Sequence, residues 1–277
     1  MTRLATITSG FAVLALATAA PGRQPADDLS PETKALVTKL KEDVRNRSAA
    51  TRTAGYKSMG DLGKYGHVVR RTLCEGMLDP IIGVRTAAAD ALKQIDEPLY
   101  KDATVIYIEK DVDRVEMVAR QRGQAEPLVP LIMPMVVKLG PAASLPNPQP
   151  CPFERFQLAH VSLARCVRTL VAIAPDDELV NKTVLTMLTN AKEENRAVAV
   201  DLVEPLKNRK LAVTPLIALA GSLRELEGTR AKAILLLPVV ADENTRAKAR
   251  KAAEAVRFDE KRLVREAAEA ALKQFGD

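Results

Sequence analysis

Two segments far apart in the chain, VRTAAADALKQI at 84–95 and VREAAEAALKQF at 264–275, are identical at eight of twelve positions. This self-similarity limits the fold more than any other feature. A unit that recurs along a chain buries its apolar face against copies of itself, so a stack is expected rather than a globule closed around one centre. In both segments an Asp stands six positions before the Arg: Asp79 before Arg85 and Asp259 before Arg265. Two looser copies keep the spacing with Asn for Asp, as Asn46 before Arg52 and Asn190 before Arg196. The arginines lie 33 residues apart from 52 to 85, 111 (three times 37) from 85 to 196, and 69 from 196 to 265, with Arg230 near the last midpoint. A period of about 35–40 residues is that of an array of helical pairs.

The side-chain chemistry agrees. On a helix at about 100° per residue, Val84, Ala87, Ala88, Ala91, Leu92 and Ile95 share one face, with Thr86, Asp90 and Lys93 opposite. Val264, Ala267, Ala268, Ala271, Leu272 and Phe275 repeat that face. Ala lets neighbouring helices approach closely while Leu and Ile fill the layers between them. Only 3% of the residues are aromatic and none is Trp, which suits helix packing better than a sandwich of strands. Asp79, Asp259, Asn46 and Asn190 are expected just ahead of helices, accepting backbone N–H groups. Each arginine, one turn in, is expected to bond such a group on an adjacent repeat. Asn46, Arg52, Asp79, Arg85, Asn190, Arg196, Asp259 and Arg265 thus read as a structural ladder, because a catalytic role would not recur at every unit.

The pattern Asp-x5-Arg-x-Ala-Ala with a following Ala-Leu resembles the HEAT-repeat family, including the HEAT-like repeats of the phycobilisome-lyase type. The resemblance covers residues from about 31 to 276, with two strong copies and two moderate ones. It implies an all-α, right-handed α-solenoid of about six to seven antiparallel helix pairs, whose second helices line a concave binding face. It does not imply an enzyme. The copy around Arg230 departs from the pattern, since position 224 is Arg rather than Asp or Asn.

Residues 1–19 read as a secretory signal: Arg3, an apolar run, then the small residues Ala17, Thr18 and Ala19 before cleavage. Thr6, Thr8, Ser9 and Gly10 interrupt the run, which argues against a spanning helix. A polar, Pro-containing linker over 20–30 precedes the solenoid at 31–277. Helices are expected near 31–44, 48–62, 66–77, 80–95, 98–121 and 125–139. Five prolines at 140–152 break every regular pattern and predict a surface excursion. Helices resume at 153–173, 176–189, 192–207, 210–226, 229–240, 243–257 and 260–275. No segment after the signal is expected to span a membrane.

Reactive chemistry is sparse. His67 and His160 belong to no metal-ligand spacing, and no phosphate loop or nucleophile elbow occurs, so no cofactor, metal or catalytic residue is assigned. Asp176, Asp177, Glu193 and Glu194 stand where helices start and read as caps. Cys74 lies in an apolar helical pattern and reads as a core residue. Cys151 in the excursion and Cys166 on the next helix either pair as a disulfide, closing that loop, or remain thiols without a role. Charge is uneven: the chain carries +6, and residues 246–265 hold eight Lys or Arg against three acids. Arg246, Arg250 and Arg257 fall on one side of a helix as a candidate polyanion contact. The other reading is the solvated face of a terminal repeat, favoured because no aromatic residue is interleaved to stack bases, which makes nucleic acid an unfavoured target. The expected function is an exported, periplasmic or secreted, non-catalytic scaffold that binds a protein partner. The alternatives are a lyase-like or enzyme-accessory protein holding a ligand in its concavity, and polyanion binding by the basic carboxyl-terminal repeat.

Overall fold

The computed structural model describes residues 29–112, 125–145, 147, 149–153 and 157–276. The signal at 1–19 and most of the linker lie outside them. Regular structure among the described residues is helical, apart from one antiparallel bridge between Pro150 and Leu158. Helix α1 (Pro31–Asp43) pairs with α2 (Ala49–Gly60), and α3 (Arg70–Gly76) with α4 (Ile82–Ile95). Helix α5 (Glu97–Glu109) packs against α4 and against α6 (Val129–Ala143), which pairs with α7 (Ala159–Ile173). The remaining pairs are α8 (Glu178–Met187) with α9 (Glu193–Asp201), α10 (Val213–Gly221) with α11 (Glu227–Val240), and α12 (Arg246–Ala255) with α13 (Arg262–Phe275). Second helices stack on one another, α2 on α4 and α7 through α13 in order, while α3 meets α6 and α10 meets α12 in the other layer. The fold is an all-α solenoid of helix pairs.

Local sequence explains many of the helix starts. Ser30, Ser48, Asp96 and Asp177 accept backbone N–H bonds at the starts of α1, α2, α5 and α8, satisfying donors that a helix leaves open. The Ala-rich faces of α4 and α13 are buried as the 3.6-residue period requires. At Gly76 the helices come so close that a methyl group would collide with the Tyr56 ring and the Ala88 side chain, so only glycine fits there.

The repeated Asn or Asp builds a turn rather than capping the first helical turn. Its side chain accepts the N–H two residues on, from Ser48, Ile81, Lys192 and Lys261, each at 2.9 Å. The arginine six positions later then locks the same turn from outside. Arg52 Nη1 donates to the carbonyls of Asn46 and Arg47, both at 2.9 Å, and Arg85 to those of Asp79 and Pro80 at 2.7 and 3.0 Å. Arg196 and Arg265 repeat the arrangement on Asn190, Ala191, Asp259 and Glu260. Other guanidinium nitrogens reach the next pair. Arg52 grips Asp79 through two bonds of 2.8 and 3.1 Å, and Arg230 grips Asp259 at 3.3 and 2.5 Å. Where position 224 departs from the pattern, Glu225 supplies the acid one residue later and meets Arg196 at 2.6 Å. Arg230, without the usual turn behind it, donates to the Ala220 carbonyl.

Several boundaries differ from expectation. Residues 63–69 form a 3-10 turn before α3, and Lys110 closes α5 in the left-handed conformation, so the helix expected over 98–121 ends at 109. Helix α6 continues through Pro141 to Ala143, which shortens the excursion from its start. On its far side the flanking residues pair, with Cys151 N donating to Gln157 O at 2.7 Å and Ala159 N to Gln149 O at 2.8 Å. Glu126–Ala143 has the length and hydropathy of a marginal membrane-spanning segment, but 56% of it is buried in the stack, as a core element would be, and it is no clear span.

Arg52 and Arg230 hold the carboxyls of Asp79 and Asp259 below the usual carboxylate range, chiefly through these hydrogen bonds. A lowered pKa in the folded state means stabilisation that is full above the unfolded value of about 4 and lost as pH falls through the folded values. Acid unfolding followed by circular dichroism should therefore set in below about pH 4, and loss of helicity already at pH 6 would contradict this. Arg230→Ala leaves Asp259 buried without its partner and should lower stability in urea by about 2–3 kcal/mol. A loss below about 0.5 kcal/mol would show that this pair adds little.

Candidate functional site

Among the described residues no group of three His, Cys, Asp or Glu side chains is placed to hold a metal. His67 is half-buried with Nδ1 3.1 Å from the Lys64 carbonyl, and His160 is half-buried on α7. Cys74 is fully buried and burial pushes its thiol well up, which suppresses the thiolate. No disulfide joins Cys151 to Cys166 in this structure; both are buried, and both line one small cavity between the excursion and α7.

The eight ladder residues sit at the turns between first and second helices. That is also where apolar side chains face solvent. Ile82 is 72% exposed, Leu223 84% and Phe258 88%. Leu78, Ile81, Leu226 and Leu263 in the same turns are exposed as well. Because the pairs are antiparallel and stacked, these turns fall along one edge of the solenoid. The polar residues Asp90, Lys93 and Lys273 expected on the second helices are exposed too.

A second feature is a cavity of about 470 Å3 where α4 passes into α5, lined by Arg70, Lys93, Asp96 and Asp102 among others. Arg70 and Asp96 form an ion pair of 2.9 Å there. Next to it, Arg71 Nη1 lies 2.5 Å from both Glu126 and Asp177. Asp177 also caps α8 through the N–H groups of Leu179 and Val180. Burial pushes its carboxyl up, but the bonds from Arg71, Val180 and Leu179 outweigh that and hold it below the usual range. Nothing in the sequence marks Arg71, since it belongs to no repeated position and its partners lie 55 and 106 residues away. Asn181 was equally invisible: it donates to the carbonyls of Pro175 and Asp177 and accepts from Asn208 N. Glu193 and Glu194 stand in the first turn of α9, where their charge meets the helix dipole as expected, although no side chain there bonds a backbone N–H as a cap.

In the basic carboxyl-terminal pair, Arg246 and Arg250 have partners within the fold. Arg246 donates to the Phe275 carbonyl at 2.9 Å and lies over the Phe275 ring, and Arg250 donates to the Gly276 carbonyl at 2.9 Å and to Glu254 at 3.0 Å. Both therefore cap the end of α13, where the helix dipole favours positive charge. Arg257 lies over the exposed ring of Phe258. Arg246→Glu with Arg250→Glu should lower the melting temperature by several degrees, because the carbonyls at the end of α13 lose their partners. An unchanged melting temperature would show that the two arginines do not cap α13 and would favour the polyanion contact.

No protein-family profile matches the chain, and no curated protein does. Among solved structures, human deoxyhypusine hydroxylase in complex with glycerol aligns over 86% of this chain and 73% of its own, with 16% identity and a TM-score of 0.38. A designed armadillo repeat protein aligns over 86% of this chain and 99% of its own, with 14% identity and a TM-score of 0.35. At those values neither brings an activity or a ligand to this chain.

Proposed function

We propose that the chain is a non-catalytic repeat scaffold that binds another protein, and that it works after export to the periplasm or the cell exterior. The observation that carries the reading is the row of exposed apolar residues, Ile82, Leu223 and Phe258 foremost, along one edge, where arginine-locked turns hold Ile82 and Phe258. Rigid presentation of apolar contacts lowers the entropy lost on binding. The recurrent polar residues are engaged in the turns themselves, which leaves the apolar ones to meet a partner. The export half rests on residues 1–19 and on small residues at a cleavage position.

A second reading keeps the lyase-type resemblance: a ligand-holding protein, favoured by the cavity of about 470 Å3 beside Arg70 and Asp96, a size within the range of small-molecule sites. Native mass spectrometry of the purified chain separates it from the scaffold, since a retained small molecule would support the ligand reading.

The scaffold is tested by in-cell cross-linking of the full-length chain, followed by fractionation and mass spectrometry. A near-stoichiometric protein should be recovered from the exported fraction, with amino-terminal sequencing showing cleavage near Ala19. A chain carrying Ile82→Asp, Leu223→Asp and Phe258→Asp should remain folded and lose at least ten-fold of that yield. Unchanged yield from this variant would remove the edge as the contact, and an uncleaved chain in the cytoplasm would remove the export reading.

A further inference from the structure

We propose that Cys151 and Cys166 are a disulfide site that ties the Pro-rich excursion to α7 under oxidising conditions. Three observations single out this pair. The two residues line the same cavity, which has no room for a water molecule and is shared with Lys110, Val112, Met135, Phe153, Ser162 and Arg165. Both side chains are buried, Cys151 at 7% exposure and Cys166 at 1%. The backbone also holds Cys151 toward α7: its N–H is bonded to Gln157 O, the Pro150–Leu158 bridge closes the strand ends, and the Phe153 N–H points at its sulfur at 3.4 Å.

Cys74 does not compete. It lies in α3, fully buried, and does not line this cavity. Its separation from the cavity in the folded chain leaves it no partner there.

The chemistry is thiol–disulfide exchange with an external disulfide of the glutathione class. One cysteine thiolate attacks the oxidant and expels the first glutathione thiolate. The second cysteine thiolate then attacks that mixed disulfide, forming the Cys151–Cys166 bond and expelling the second. The protein loses two protons and two electrons in all, and the oxidant is reduced to two thiols. Both sulfurs are covered in the folded chain, so exchange proceeds while the excursion is open, during folding or local opening. The bond then closes a loop of about 15 residues, for which chain entropy gives appreciable stabilisation.

The full-length chain is tested directly, comparing its reduced form with the same chain refolded in a reduced and oxidised glutathione mixture. The oxidised sample should expose a single alkylatable thiol after denaturation, yield a peptide cross-linked between Cys151 and Cys166, and melt on the order of 5 °C or more above the reduced sample. Cys74→Ser should keep the cross-link, whereas Cys151→Ser and Cys166→Ser should each abolish it. Three alkylatable thiols after oxidation would overturn the proposal, as would a bond involving Cys74 or a bond only between two chains.

Discussion

A guanidinium group offers five N–H donors in one plane, and the whole solenoid depends on how those donors are divided. In Arg52 one nitrogen faces the turn of its own pair while two others reach the acid of the next. Asp79 is the matching node: its carboxylate receives Arg52 and the Ile81 N–H, and its carbonyl receives Arg85. This joint therefore sets turn shape and stacking register together. A lysine could not replace the arginine, because its compact ammonium lacks the planar fork that serves two directions. Apolar burial supplies most of the stabilisation, but Ala and Val faces slide over one another at little penalty, and the directional bonds choose one register among many.

The sequence made this architecture legible because the two ends of the chain carry near copies of one helix, and because the helix period and the asparagine or aspartate before each arginine recur with it. Even the broken copy was visible as a break: position 224 is wrong for the pattern, and Glu225 standing one residue later is a shift that no spacing rule anticipates. Helix ends were less legible. Pro141 sits inside α6 where five prolines in thirteen residues predicted a loop, since packing against α7 overrides a local breaker. The left-handed Lys110 ends α5 without a glycine to announce it. The candidate site was legible only in part, because exposure of Ile82, Leu223 or Phe258 is set by neighbours distant in sequence, and an isolated apolar residue in a turn carries no sign of it.

Repeat proteins are held mainly by contacts between neighbouring units. Arg71 breaks that rule by reaching Glu126 and the cap of α8 from the second pair. The polar centre at that point joins parts of the chain that a strictly linear stack would leave independent. The contacts span 55 and 106 residues of sequence, so they tie together segments far apart along the chain.

The joint between α9 and α11 differs from the rest by one methylene. Glu225 meets Arg196 through a single oxygen, leaving Glu225 Oε2 and Arg196 Nε buried without a hydrogen bond, whereas Asp79 and Asp259 are each gripped twice. A one-point contact fixes a distance but not an angle. That joint is therefore the place where the orientation of one helix pair on the next is left to apolar packing alone.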